Sequence, residues 1–393
     1  MTRRGAKIRP MEHTPLFLPP LALYVHIPWC VRKCPYCDFN SHAAGESLPE
    51  EAYVQALIRD LDSEQPYAQG RRLTSIFFGG GTPSLFSAES IGRIIQAARR
   101  RIGFDGDIEI TLEANPGTFE QEKFSAFHSV GVNRLSIGVQ SFNDLHLQRL
   151  GRIHSAEQAI NAVGMARQAG FENFNLDLMH GLPGQTESEA LNDLQQAIEL
   201  QPTHISWYQL TIEQNTEFYR HPPTLPEEDI LENIYEKGLE KLQSSNYFQY
   251  EISAFCRDNK KSVHNVNYWA FGDYIGIGAG AHGKITLPDE QRIIRLSKTR
   301  HPSDYLGREN SFIAKCNNIS TDELPLEFMM NALRLTDGVE REFYPDRTGT
   351  AFSHIEQKYH ELIAMGLIEN NPEKICTTKK GHRFLNSVLE KLS

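Results

Sequence analysis

At 393 residues, 44.7 kDa and 40% hydrophobic content, the chain is long enough to bury one large core and to carry a second, smaller domain. A formal net charge of −10 and a pI near 5.9 leave no broad basic face to displace counterions from a phosphate backbone, which argues against a nucleic-acid partner. Mean hydropathy is −0.44 and no apolar run reaches bilayer length, so no membrane span is expected. The basic opening (Arg3, Arg4, Lys7, Arg9) runs into a proline-broken stretch where a signal peptide needs an apolar core, and a cytoplasmic location is expected.

From residue 21 onward, apolar segments of strand length alternate with segments of helical period. Six strands are predicted, at 21–27, 73–78, 107–113, 134–139, 171–178 and 204–210, each followed by a helix, at 50–66, 87–101, 119–128, 155–169, 187–200 and 227–246. Ser87, Thr118 and Ser155 stand where N-caps are needed. Repeated βα units give an α/β fold with a parallel sheet, and six units are too few to close a full barrel. A partial, open (βα)6 barrel over 21–246 is therefore expected, after an N-terminal extension at 1–20, with ligands at the C-terminal ends of the strands. Over 247–320 the alternation fades, and NYFQYEISAF and HNVNYWAFGDYIGIGAGAH read as strands and tight turns that extend the sheet. Residues 321–393 read as a small, mainly helical domain, with a winged-helix arrangement as one candidate. Its Leu333, Leu335, Leu362 and Leu367 offer an apolar face to cover one mouth of the barrel or dock a partner.

Three of the six cysteines, Cys30, Cys34 and Cys37, fall within eight residues just beyond the first strand, while Cys256, Cys316 and Cys376 lie far apart. That is no disulfide framework; one metal-binding cluster in a reducing compartment fits better. A Cys-x3-Cys-x2-Cys loop can place three thiolates on three corners of a 4Fe–4S cubane and leave the fourth iron open. A zinc site is the competing reading, but a structural zinc wants four closed ligands, and the nearest additions, Asp38 and His42, form no paired knuckle. With Tyr36 before the third cysteine, the segment resembles the radical S-adenosylmethionine (SAM) signature. That resemblance implies SAM chelated at the open iron and cleaved, after one-electron reduction, to methionine and a 5′-deoxyadenosyl radical.

Each predicted strand end supplies a polar or glycine-rich segment: Phe78-Gly79-Gly80-Gly81-Thr82-Pro83, Glu113 in LEANP, Gln140 in SIGVQS, Arg152 in LGRIH and Asp177 in NLDLMHGLPGQT. Together, in strand order, they resemble the family of oxygen-independent coproporphyrinogen III oxidase and its relatives over nearly the whole chain. The resemblance implies Tyr24, Gly80, Gly81, Thr82, Glu113, Gln140, Arg152 and Asp177 as SAM contacts, with Thr211 as a further candidate on the adenine side.

Within this family the chain departs from the oxidase. The oxidase has one more cysteine two residues after the third ligand, where this chain has Phe39. It also has a longer N-terminal arm over its substrate cavity, and the roughly twenty residues before the first strand here are too few to build that arm. His264-Asn265-Val266-Asn267-Tyr268-Trp269 instead resembles the HNxxYW segment of the haem chaperone group HemW, which implies haem as ligand or cargo and delivery to a haem-accepting respiratory protein, membrane-bound or not. His264 can serve as an axial haem ligand, with Tyr268 and Trp269 giving flat apolar area beside a porphyrin. A hydrogen-bonded structural histidine among core aromatics is the alternative, and Cys256 and His282 are substitute ligands. Gly276, Gly278 and Gly280 lack the βαβ context of a dinucleotide motif and are expected to allow a close approach to SAM or haem. Cys316 and Cys376 are expected as small buried hydrophobes. A homodimer is left open. The competing function is oxygen-independent oxidation of coproporphyrinogen III to protoporphyrinogen IX; a methyltransferase role finds no second reactive cysteine pair in its support.

Overall fold

The computed structural model describes residues 14–45, 47–117 and 123–392. The predicted Thr118 cap and most of the 1–20 extension lie outside those residues. All six predicted strands form: β1 (Leu21–Ile27), β2 (Leu73–Gly80), β3 (Phe104–Ala114), β4 (Arg134–Gln140), β5 (Asn173–His180) and β6 (His204–Gln209). Four more extend the sheet after β7 (Phe248–Glu251) and β8 (Ala254–Cys256): β9 (Asp273–Ile277), β10 (His282–Leu287), β11 (Arg292–Lys298) and β12 (Ile313–Asn318). The sheet order is β12-β11-β10-β9-β1-β2-β3-β4-β5-β6-β8-β7. Strand β9 joins β1 in parallel, so seven consecutive strands run parallel before antiparallel strands flank them on both sides. The sequence alternation predicts six, because β9 arrives without a preceding crossover helix of barrel type.

Helices α1 (Glu50–Glu64), α2 (Ala88–Arg101), α3 (Phe124–Ser129), α4 (Ala156–Gln168), α5 (Glu187–Glu199) and α6 (Glu228–Ser244) follow β1 to β6 in turn. Their starts are written locally: Ser87 caps α2, and Ser155 with Gln158 and Thr186 with Glu189 form reciprocal capping boxes on α4 and α5. Strands covered by such helices read as near-continuous apolar runs, and in β1 only Tyr24 is not fully buried.

Two expectations fail here. HNVNYW is helical, forming α7 (Val263–Trp269) rather than a strand. Ser262 caps it, and the Glu109 carboxylate of β3 accepts from the N–H groups of Val263 (3.1 Å) and His264 (3.2 Å), so a partner distant in sequence satisfies the helix start. Cys316 is exposed on the edge strand β12 rather than buried; Cys376 and Cys256 are buried as small apolar side chains.

The C-terminal region packs α8 (Leu324–Ala332), α9 (Glu356–Ala364) and α10 (Leu385–Leu392) with a short antiparallel pair, Val339–Glu340 against Lys374–Ile375. Leu333, Leu335, Leu362 and Leu367 are all buried in the core this region shares with Tyr250, Cys256, Phe271 and Ile293. They hold the region to the extended sheet and are not left for a partner.

Candidate functional site

The segment after β1 turns back on itself: Trp29–Cys30 pairs in parallel with His42–Ala43, and the Lys33 ammonium donates to the Phe39 (3.2 Å) and Ser41 (3.3 Å) carbonyls. Cys30, Cys34 and Cys37 thereby line one cavity of about 260 Å³ at the C-terminal ends of the parallel strands. Gly80, Gly81, Thr82, Glu113, Gln140, Arg152 and Asp177 line the same cavity, so seven of the eight SAM residues implied by resemblance converge on the cysteines.

Each strand end contributes for a local reason. Gly80 has φ +114° and a Cβ there would stand 2.5 Å from the His26 ring, while a Cβ on Gly81 would stand 2.5 Å from the Trp29 carbonyl oxygen. Glycine is thus required by the protein's own packing against β1, and it leaves the Gly80 N–H free to donate to Glu113 Oε2 (3.1 Å). Gln140 ends β4 at φ +69°, an uncommon conformation for a side-chain-bearing residue, and accepts from the Tyr208 hydroxyl at 2.7 Å. Arg152 donates to Asn115 Oδ1 (2.6 Å), the Gly138 carbonyl (2.8 Å) and Cys34 Sγ (3.6 Å). Asn115 in turn donates to Thr82 Oγ1 at 2.9 Å.

The cavity sets two carboxyls, Glu113 and Asp177, beside two guanidinium groups, Arg32 and Arg152. Burial, then the neighbouring Asp177, push the Glu113 carboxyl up to about 8. Burial also raises Asp177, against the hydrogen bonds from Ser136 (2.9 Å) and Asn175 (2.8 Å). Carboxyls and guanidinium groups facing one enclosed space can meet a ligand that carries ammonium, carboxylate and hydroxyl groups together, as SAM does. Burial raises the Cys30 and Cys37 thiols as well, the direction that bound iron reverses. The lining holds three thiols, with no histidine and no fourth cysteine, and neither Asp38 nor His42 joins it. That donor set fits a 4Fe–4S cluster with one iron open to SAM and not a closed four-ligand zinc.

A second cavity, of about 920 Å³, adjoins the first, and Phe39 lines both. Helix α7 builds one wall. His264 and Tyr268, and likewise Asn265 and Trp269, are spaced i,i+4 and all four line the cavity. Asn267, pointing elsewhere, donates to the Asp273 carbonyl at 2.9 Å and ties the helix to β9. Phe77, Tyr24 and Tyr274 add aromatic area. His264 Nδ1 lies 3.1 Å from Ser75 Oγ and the ring packs 5.1 Å from Phe77. Burial, then Arg134, lower its pKa to about 3, so the imidazole is neutral at neutral pH, the form that binds a metal.

Several placements differ from expectation. Tyr24 lines this second cavity, its hydroxyl 3.0 Å from His26 Nδ1, and its ring borders Gly79 together with the Glu113 carboxylate of the cluster cavity. Thr211 is exposed and lines neither. Cys256 sits in the C-terminal core, away from the second cavity, whereas His282 lines it. Of the glycine run, Gly280 lines the larger cavity, and all three glycines are also set by internal packing: a Cβ would meet the His282 carbonyl from Gly276 (1.9 Å), the His26 carbonyl from Gly278 (2.3 Å) and the Asn40 amide from Gly280 (2.3 Å). Sequence reasoning missed Asn115, Ser136 and Tyr208 in the cluster cavity, and Glu109 behind α7. The period-two alternation of Glu109, Thr111 and Glu113 along β3 is the signal that Glu109 shares a face with Glu113.

An open βα barrel whose strand ends carry this cavity is the architecture of radical SAM proteins, and residues 24–197 match the radical SAM superfamily while residues 319–384 match the HemN C-terminal domain. Heme chaperone HemW of Haemophilus influenzae is 51% identical, over 95% of this chain and 98% of its own. Heme chaperone HemW of Escherichia coli is 49% identical over the same shares. Among solved structures, coproporphyrinogen III oxidase (HemN) of Escherichia coli superposes with a TM-score of 0.81 at 22% identity, covering 95% of this chain and 90% of that one, which shows a shared fold. The chain belongs to the radical SAM superfamily and, within it, to the family of the heme chaperone HemW proteins.

Proposed function

We propose that this protein binds haem as cargo in the larger cavity, holds a 4Fe–4S cluster and SAM in the smaller one, and delivers the haem to a haem-accepting respiratory protein. The observation that carries the reading is the aromatic cavity walled by α7, which adjoins the cluster cavity across Phe39. Its volume of about 920 Å³ lies within the range of about 300–1,000 Å³ usual for ligand pockets. The relatives named as heme chaperones, matched over nearly the full chain, support the same assignment. His264 stands in that wall as the axial-ligand candidate. The cysteines, with Gly80, Gly81, Thr82, Glu113, Gln140, Arg152 and Asp177, would hold the cluster and SAM; when bound, these supply one-electron chemistry and a carbon-centred radical. No helix among the described residues is long and apolar enough to cross a membrane, and we place the protein in the cytoplasm, where a reducing milieu protects its thiols.

The test is a haem titration of the anaerobically reconstituted protein followed by visible absorbance, with His264→Ala alongside. Saturable binding with an altered axial-ligand spectrum in His264→Ala, the cluster absorbance unchanged, is expected. An unchanged haem spectrum and affinity in the variant would remove His264 as ligand. Multiple-turnover protoporphyrinogen IX from coproporphyrinogen III, with SAM and a strong reductant, would replace the chaperone reading by the oxidase one.

A further inference from the structure

Three cationic side chains line the larger cavity, and they differ in kind. Lys298 is buried and lies 2.6 Å from Asp60 and 2.7 Å from Glu64, so its charge is answered within the protein. Arg300 and Lys315 are exposed, and among the described residues neither has a carboxylate within ion-pair distance. Asp38, the one carboxylate in the lining, pairs with neither. The two share one lip. Lys315 lies on β12 in register with Ser297 of β11, itself a lining residue, and Arg300 stands just past the end of β11, after Thr299. The Asn40 amide donates to the Arg300 carbonyl at 2.8 Å, which fixes this lip to the loop that carries Phe39.

A flat apolar macrocycle lying against Phe77, Tyr268 and Tyr274 would bury its body and must keep acidic substituents either in water or against a cation, because an unpaired buried carboxylate is costly. Unanswered cations at the open end of an otherwise aromatic cavity meet that need, and a guanidinium offers a planar fork suited to a carboxylate. We propose that Arg300 and Lys315 form a carboxylate subsite that recognises the propionates of the macrocycle held in the larger cavity. This rests on the haem-cargo reading above. It makes the lip a determinant of orientation: the acidic edge faces solvent at β11 and β12, and the opposite edge points inward. Exposed pairs are weak and screened by salt, so the subsite gives discrimination while permitting release. The plainer account of Lys315 is a charge that keeps the edge strand β12 from pairing with another chain.

The experiment titrates haem and haem dimethyl ester, in which both propionates are blocked, into the reconstituted protein and into Arg300→Ala/Lys315→Ala. Both are read by visible absorbance at low and at high salt, with circular dichroism and the cluster absorbance confirming an intact fold. The wild type is expected to bind haem about tenfold more tightly than the ester at low salt, a gap that narrows with added salt. In the double variant, haem affinity falls about tenfold, ester affinity stays, and the preference disappears. Equal losses for both ligands, no loss for either, or a changed association state with the preference intact would overturn the subsite while leaving haem binding in place. A wild type that binds neither ligand would overturn the cargo reading and the subsite with it.

Discussion

Glu113 offers a quantitative test of the cluster cavity. Burial and the neighbouring Asp177 push its carboxyl up to about 8, so at pH 7 it is mostly protonated. A ligand that carries a sulfonium charge needs the carboxylate and must draw off that proton. The cost, RT ln(1 + 10^(8 − pH)), is about 3 kcal/mol at pH 6, about 1 kcal/mol at pH 7 and smaller still at pH 8. Glu113's contribution to SAM affinity should therefore grow by roughly one to two orders of magnitude between pH 6 and pH 8. Glu113→Gln is the perturbation, since glutamine keeps the shape and mimics the protonated form. SAM's own amino group titrates nearby, so the quantity to read is the difference between the wild-type and variant pH profiles, measured by equilibrium binding of labelled SAM to the reconstituted protein. Parallel profiles would refute the argument. Stability carries the opposite sign. A carboxyl whose folded value, about 8, exceeds the 4.5 of the free group favours the fold below pH 4.5 and loses that contribution as pH rises to 8. Without ligand, Glu113→Gln should thus melt above the wild type at pH 8 and together with it at pH 4.

Replacing Cys30, Cys34 and Cys37 together should abolish the brown absorbance and the bound iron and sulfide of the reconstituted protein; retained iron and sulfide would sink the cluster assignment. Gly81→Ala forces a Cβ to within 2.5 Å of the Trp29 carbonyl, a backbone atom that cannot swing aside, and should cost about 1–3 kcal/mol in chemical denaturation. Glu109→Ala leaves the Val263 and His264 N–H groups without their acceptor; a loss of about 1–3 kcal/mol and weakened haem binding with the cluster absorbance intact are expected. Lys298→Met strands Asp60 and Glu64 in the core, and a loss of about 3–5 kcal/mol at pH 7 should shrink at pH 5 as the two acids, both already raised by burial, take up protons.

The sequence by itself determined what short-range chemistry determines. Alternating apolar strands and capped helices wrote the six βα units from Leu21 to Ser244, because strand burial and N-caps such as Ser155 are local properties. The tight Cys-x3-Cys-x2-Cys spacing and the polar strand ends pointed to one site, since parallel strands must bring their C-terminal ends together. Tertiary structure decided the rest. Only the register of β9 against β1 adds a seventh parallel strand, and the Glu109 carboxylate, reaching from β3, joins the local Ser262 cap in satisfying the start of the HNVNYW helix. That helix sets His264, Asn265, Tyr268 and Trp269 on one wall, where strand geometry would have divided them between two faces. Which of three cations already has its carboxylates depends on contacts between residues far apart in the chain, which periodicity and propensity do not encode.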